Sequence, residues 1–280
     1  MSVNWPPQMP AIKTWLNQSS DRLSNIEIES SRLDAEIILA DVLDVNRTYL
    51  HSHSEDIIKT PNLKKANKMI RLRTARLPIA YIIGHKEFYK RDFIVTKSTL
   101  IPRPESEMIV DLLKKVLEDN DKPLNLIDVG TGSGCLGITA KLEFPNLNVT
   151  LSDISNRALK IAAMNAAKLS ANVNILKSNL LNNYDHKLDI ILANLPYVDK
   201  LWERSPETNY EPPLALFAEN NGKKLIEKLL KQSQKILNYG GYIIIEADPA
   251  QHKDLISFAQ ANSLKIVLNQ DYIMVFKYQS

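Results

Sequence analysis

Apolar positions recur at helical spacing along the first 77 residues: Ile12, Trp15 and Leu16, then Leu33, Ile37, Ile38 and Leu43, then Leu63, Met69, Ile70 and Leu72. Side chains three and four apart share a helix face, so this stretch is predicted to be helical. Ser31, ahead of Asp34 and Glu36, suits a helix start, and Pro61 lies where another helix can begin. From Tyr81 to Val95 the texture changes: Phe88, Tyr89, Phe93, Ile94 and Val95 surround the polar Lys90-Arg91-Asp92, the mark of a hairpin. Ile101-Pro102-Arg103-Pro104-Glu105 cannot continue regular structure, because proline fixes its own φ and restricts its predecessor. The domain junction is expected there, giving a helical domain over 1–80, a linking β-hairpin over 81–104 and a second domain over 105–280.

Beyond Pro104 strand-like and helix-like segments alternate. The strands are expected at Asn125–Val129, Asn148–Ser152, Val173–Lys177, Asp189–Asn194, Gly241–Ala247, Leu264–Leu268 and Ile273–Tyr278. Helices are expected at Gly134–Glu143, Ser155–Leu169, Gly222–Leu237 and Pro249–Ala261. This order predicts an α/β domain with a doubly wound, mostly parallel sheet. Only Asn269-Gln270-Asp271-Tyr272 joins the last two strands, too short for a parallel crossover, so the sheet ends in an antiparallel strand. That ending is the mark of a methyltransferase-type rather than a dinucleotide-type sheet.

Composition narrows the class. With 44% apolar and 24% charged residues, the chain of 280 can bury a sizeable core. No apolar run reaches the roughly 20 residues that span a bilayer. The start, MSVNWPPQMPAIKTW, does not read as a signal peptide. One cysteine, Cys135, excludes an intrachain disulfide framework and a cysteine-rich zinc site. The five histidines are scattered, and no metal site is expected. A cytoplasmic location follows. The net charge of +3 does not by itself argue for nucleic acid, but ten basic residues between Lys59 and Arg91 face one acid, Glu87. Such a stretch is either a solvated helix face or a surface that steers an acidic or RNA-bound partner.

Candidate chemistry begins after the first sheet strand, at Asp128-Val-Gly130-Thr131-Gly132-Ser133-Gly134. Glycines allow a tight turn and close ligand approach, and the helix that follows offers free N–H groups. Gly132-Ser-Gly134-Cys-Leu-Gly137 also fits a dinucleotide fingerprint, so the loop alone admits either a nicotinamide or an adenosylmethionine cofactor. Asp153, ending the second strand, is placed to accept from ribose hydroxyls, with Ser155 better placed to cap the helix. Asn179 and Leu180 stand where an adenine would be held.

Asn194-Leu195-Pro196-Tyr197, at the end of the fourth strand, separates the alternatives. The Asn194 side-chain oxygen and the Leu195 carbonyl can each accept one hydrogen of an NH2 group. Pro196 stiffens the turn, and Tyr197 offers a flat face to a planar amide or base. Aligning such a nitrogen with an activated methyl is the chemistry that this tetrapeptide suits.

The chain resembles the release factor glutamine methyltransferases, the HemK/PrmC family. The resemblance runs through Arg73-Thr-Ala-Arg-Leu-Pro-Ile-Ala-Tyr-Ile-Ile-Gly84 with Glu87-Phe-Tyr89, and through Leu100-Ile-Pro-Arg-Pro-Glu-Ser-Glu107. It continues in Asp128 to Gly134, Asp153-Ile-Ser-Asn-Arg-Ala-Leu159 with Asn165-Ala166, Tyr210-Glu-Pro-Pro-Leu-Ala-Leu216, Gly240-Gly241 with Glu246, and Gln251. It implies a class I methyltransferase fold that uses S-adenosyl-L-methionine. The implied substrate is the glutamine of the Gly-Gly-Gln motif of class-1 peptide chain release factors, methylated at N5 in the service of translation termination. Arg103, Glu105 and Glu211 are then expected to help Asn194, Leu195, Pro196 and Tyr197 hold the substrate, and the helical domain to help hold the factor. A monomer is expected, without membrane association and without direct nucleic-acid binding.

Three departures stand out. Leu195 replaces the family's first proline, Asn179 replaces an acid, and the last hairpin lacks the Gly and Arg that usually follow Asp271. Asn-Leu-Pro-Tyr also resembles the motif of ribosomal RNA adenine-N6 dimethyltransferases, so an adenine-N6 methyltransferase on RNA or DNA is the alternative. A non-catalytic, nucleotide-dependent module of the translation apparatus is a third reading, against which an intact Asn194 speaks.

Overall fold

The structure is a computed structural model that describes residues 9–118 and 122–279, and the chain divides into two compact units. The first eight residues of the start that does not read as a signal peptide lie outside the described residues. One unit comprises the described residues up to Gly84 together with Pro206–Tyr210. It contains α1 (Ile12–Ser24), α2 (Ser31–Leu43), α3 (Arg47–Ser52), α4 (Thr60–Thr74) and α5 (Ile79–Ile83). The predicted periodic positions Ile12, Trp15, Leu16, Ile38, Met69 and Ile70 are buried in its core, joined by Leu23, Leu39 and Leu50. Leu33 and Leu72 remain exposed. Pro61 stands in the first turn of α4, where its missing N–H is no loss. The buried Trp15 donates its Nε1–H to Asn67 (2.8 Å). Arg73 is buried too, and Asp34 (2.6 Å) and Glu207 (2.9 Å) take up its guanidinium. Two carboxylates at that range offset much of the desolvation that one buried cation suffers.

The second unit runs over 85–205 and from Glu211 onward. It opens with β1 (His85–Phe88) and β2 (Arg91–Ile94), an antiparallel hairpin that belongs with the sheet. The turn falls on Tyr89 and Lys90, both at positive φ, a two-residue turn whose twist matches the strands. Then follow α6 (Glu107–Val116), β3 (Asn125–Val129), α7 (Cys135–Glu143), β4 (Asn148–Asp153), α8 (Asn156–Lys168), β5 (Asn174–Lys177) and β6 (Leu188–Ala193). The unit ends with α9 (Pro213–Leu216), α10 (Lys224–Ser233), β7 (Leu237–Glu246), α11 (His252–Gln260), β8 (Leu264–Gln270) and β9 (Ile273–Tyr278).

The seven-stranded sheet has the order β5-β4-β3-β6-β7-β9-β8. All pairs are parallel except those of β9, which lies antiparallel between β7 and β8. The doubly wound sheet with an antiparallel last strand is therefore present as predicted. Neighbouring residues of one strand enter opposite cores. Leu126, Ile190, Leu192 and Ile244 pack with residues of α6, α7 and α8, whereas Ile127, Ile191, Ala193, Ile243 and Ile245 pack with α10 and α11. That two-sided burial explains why the central strands read as unbroken apolar runs rather than alternations.

Three elements differ from expectation, the first being the short helix α9, which was not predicted. The helix α6 has no predicted counterpart, although Ile109, Leu112, Leu113 and Val116 recur at helical spacing. Strand β7 begins four residues before Gly241. Leu237 already pairs with Leu188, and the register shifts before Ile190. Asn238-Tyr-Gly-Gly reads as a turn, but here it is a kink inside a continuing strand, with Gly240 at φ 80°.

Candidate active site

Strand order reverses between β3 and β6, and ligands bind beyond the carboxyl ends of strands at such a switch point. Val129, ending β3, pairs with Ala193, ending β6, so the glycine loop and Asn194 leave the sheet side by side. A cavity lies there. Asp128, Gly130–Ser133, Asp153, Asn179, Leu180, Asn194, Leu195, Pro196 and Arg103 all line it. Ser98 to Leu100, Pro102, Ser106, Pro212, Leu214 and Ala215 supply further wall that the sequence reading did not assign.

Gly130, Gly132 and Gly134 all have positive φ (74°, 55° and 85°), which side chains adopt only at a cost. Gly130 answers a second demand: a Cβ there would lie 2.9 Å from Leu195 Cδ2. The leucine that departs from the family pattern is thus packed against the glycine loop and is buried. Behind the loop, Asp128 Oδ2 accepts from the Thr131 hydroxyl (2.6 Å) and the Gly137 N–H (2.9 Å). No donor among the described residues reaches Asp128 Oδ1, and burial pushes this carboxyl up to about 6. A bare buried carboxylate oxygen beside the cavity favours a cationic neighbour.

Asp153 ends β4 and lines the same cavity. Its two oxygens accept from the N–H groups of Gly132 (3.0 Å) and Ser155 (2.8 Å), and burial raises its pKa. Each oxygen keeps a lone pair for a further donor. Ser155 caps α8, accepting from Ala158 N–H, as the sequence suggested. Leu180 is buried at φ 55°, a left-handed conformation that costs a branched residue on the order of 1–2 kcal/mol. Such strain is concentrated where a ligand contact fixes the backbone.

Asn194 donates both amide hydrogens inward, from Nδ2 to Ser106 Oγ (2.9 Å) and to Glu246 Oε2 (2.9 Å). Its Oδ1 and the Leu195 carbonyl receive no donor among the described residues. Tyr197 does not line the cavity: its hydroxyl donates to Glu246 Oε1 (2.9 Å), and burial beside that carboxylate raises its pKa. Its carbonyl accepts from Gln251 Nε2 (2.8 Å), which also donates to Asn221 O (2.7 Å). Arg103 faces the cavity, held by Glu211 Oε1 at 2.5 Å, while Glu211 Oε2 accepts from Ile101 N–H (3.1 Å). Glu211 itself is buried behind Arg103, and Glu105 is exposed; neither lines the cavity, nor does Gly134. Asn165 braces the loop from behind. Its Oδ1 accepts from Ile94 N–H (2.7 Å), and its Nδ2 donates to Ile94 O (3.0 Å) and Ser133 O (2.8 Å).

Ser106 and Glu246 stood in the sequence only as parts of the family pattern, and sequence reasoning gave neither a role in the site. The signal was available in Glu246, a carboxylate ending the apolar Ile243-Ile244-Ile245 run of β7, the strand beside β6. No group of three His, Cys, Asp or Glu side chains among the described residues could hold a metal ion, and no helix among them is long and apolar enough to cross a membrane.

Known proteins match both units. The PrmC N-terminal domain family matches residues 14–84, and the Methyltransferase small domain family matches residues 105–207. The Release factor glutamine methyltransferase of Leptospira interrogans is 36% identical over 255 residues, covering 88% of this chain and 89% of that protein. The Bifunctional methyltransferase of Rickettsia bellii is 33% identical over 296 residues, covering 94% of this chain but 52% of that protein, so the chain spans about half its length. Among solved structures, a methyltransferase from Pyrococcus furiosus shares the fold, with TM-score 0.54 and 18% identity over 74% of this chain and 98% of that one.

Proposed function

The chain belongs to the release factor glutamine methyltransferase family, and on that premise we propose how it acts. It transfers a methyl group from S-adenosyl-L-methionine to the side-chain amide nitrogen of a glutamine, that of the Gly-Gly-Gln motif of class-1 peptide chain release factors. It thereby serves translation termination in the cytoplasm, as a monomer. The observation that carries this reading is the pair of acceptor oxygens, Asn194 Oδ1 and Leu195 O, left without protein donors beside the glycine loop.

The residues present fit the cofactor. Asp153 can accept from both ribose hydroxyls, Leu180 offers an apolar face to the adenine, and Asn179 stands at its edge. The bare oxygen of Asp128 suits a ligand that carries positive charge. When bound, the cofactor supplies a methyl on a sulfonium sulfur that departs as a neutral thioether with the bonding pair.

An amide nitrogen is a poor nucleophile, because its lone pair is delocalised into the carbonyl. It also brings two N–H donors that must be satisfied once water is excluded. Asn194 Oδ1 and Leu195 O accept one each, which fixes the nitrogen and raises its electron density. The N–C bond forms from the nitrogen lone pair, and one of the two gripped protons then passes to solvent from the strongly acidic N-protonated amide. Alignment of this kind supplies up to roughly 7–11 kcal/mol. Leu195 serves as well as proline here, since its carbonyl is the group in use and its side chain packs on Gly130.

The relatives' names favour glutamine over an adenine base. The test offers cofactor with a labelled methyl to purified release factor and, separately, to ribosomal RNA. Label on the factor's glutamine supports the reading; label on RNA alone overturns it.

A further inference from the structure

An asparagine amide can turn either end toward a cavity, and only its oxygen can accept from a substrate NH2. Rotated by half a turn, Asn194 would set its own N–H groups against those of the substrate. Glu246 prevents this. It ends β7, is 2% exposed, and its Oε2 accepts from Asn194 Nδ2 at 2.9 Å. A carboxylate only accepts, so the NH2 end of Asn194 must face it. The Ser106 hydroxyl gives its proton to the same Oε2, which leaves the Ser106 oxygen to accept the second Asn194 hydrogen at 2.9 Å. Glu246 Oε1 takes the Tyr197 hydroxyl at 2.9 Å. Both donors of Asn194 are thus held by acceptors: Glu246 Oε2 cannot donate, and Ser106 Oγ accepts as long as its proton is given to Glu246.

We infer that Glu246 is a positioning residue that locks Asn194 with its oxygen toward the substrate amide, Ser106 and Tyr197 completing the lock. The inference rests on the reading of Asn194 as the amide acceptor. It gives a task to Ser106 in the proline-rich segment and to the last member of the Asn-Leu-Pro-Tyr motif, whose hydroxyl is anchored in the same clamp.

Protonation of Glu246 would replace an acceptor by an O–H donor and release Asn194 to turn. Burial raises the pKa of Glu246, and the nearby Glu105 raises it further, while Ser106, Tyr197 and Asn194 lower it by bonding to the ionised form. Burial pushes the Cys135 thiol up to about 12, with the Asp128 and, least, the Glu246 charge adding to it.

The test uses the full chain with Glu246→Gln, nearly the same shape but with an NH2 that must displace at least one donor. Cofactor affinity by calorimetry is expected to stay within about twofold. The kcat on purified release factor should fall by about 10–100-fold, the range for partners that orient a functional group. In wild type an acidic limb of the kcat–pH profile should be present, and it should vanish in the variant. The variant Asn194→Ala/Glu246→Gln should be no slower than Asn194→Ala alone, because Glu246 acts through Asn194. Additive losses would overturn the inference. A second readout needs no substrate: the side-chain NH2 resonances of Asn194 should shift and exchange faster in Glu246→Gln, and unchanged resonances would also overturn it. Should the wild type fail to methylate the factor, the substrate reading falls while the resonances still decide the positioning role. Ser106→Ala, which removes one acceptor, should give a smaller kcat loss and serves if Glu246→Gln does not fold.

Discussion

Replacing Asn165 by alanine probes the brace behind the glycine loop. Asn165 is fully buried and uses its amide completely: one acceptor to Ile94 N–H and two donors to Ile94 O and Ser133 O, at 2.7–3.0 Å. Each such bond contributes about 0.5–1.5 kcal/mol net, and each buried group left unpaired costs about 1–3 kcal/mol. Water admitted to the vacated space recovers part of that. A loss of about 3–5 kcal/mol is therefore expected for the sheet unit, against about 1 kcal/mol for an average substitution. Asn165→Asp sharpens the case. It keeps the acceptor for Ile94 N–H but sets a charged oxygen against two carbonyls, so at neutral pH it should be no more stable than the alanine variant. At acid pH, where the carboxyl can donate one proton, it should recover. Urea unfolding followed by far-ultraviolet circular dichroism, compared at equal m, measures both. A loss below 1 kcal/mol for Asn165→Ala, or an aspartate variant as stable as wild type at neutral pH, would mean that Asn165 does not brace the loop.

Two further outcomes follow from the site. In Gly222→Ala the new Cβ would lie 1.8 Å from the Tyr197 carbonyl oxygen and 2.4 Å from Gln251 Nε2, at a φ of +80°. The Gln251–Tyr197 link must then break. Gly222 does not line the cavity, so kcat should fall at least about tenfold, the cost of losing roughly one hydrogen bond's worth of alignment, while cofactor affinity by calorimetry stays near wild type; unchanged kcat would remove Tyr197's anchorage from the mechanism. Asp128, raised from 3.8 to about 6, binds a proton more tightly folded than unfolded. Its contribution is fully present below about pH 4 and is lost as pH rises through 6, a swing of about 3 kcal/mol. The stability difference between wild type and Asp128→Asn, measured by urea unfolding from pH 4 to 7, should fall along that curve. A flat difference would contradict it.

Much of the sheet was legible because its strands are apolar runs bounded by Gly, Asn, Asp and Pro, and because the Asn269–Tyr272 connection leaves room only for a hairpin. The start of β7 was not. Asn238-Tyr-Gly-Gly carries turn residues, yet Leu237 is held to Leu188 by the neighbouring strand, and local propensity yields to that pairing. The helix α6 was obscured by the prolines that precede it. In the site, residues that meet the cavity directly could be singled out from chemistry alone: Asp153, Gly130, Gly132 and Asn194. Residues whose side chains bond to distant groups could not. Ser106, which also lines the cavity, Asn165, Glu246 and Gln251 reach partners 30 to 140 positions away, and nothing in local spacing shows which groups they join. The tie of the Tyr197 hydroxyl to Glu246 was equally invisible, because the two residues meet only through the fold.

In the proposed reaction Asn194 Oδ1 and the Leu195 carbonyl together grip an NH2 group. Single-turnover methyl transfer to purified release factor by Asn194→Ala, with cofactor affinity measured in parallel, decides whether they do. The expected result is a rate lower by about 10²–10³, the scale of losing one key polar group, with little change in cofactor binding. Transfer at the wild-type rate would contradict the claim.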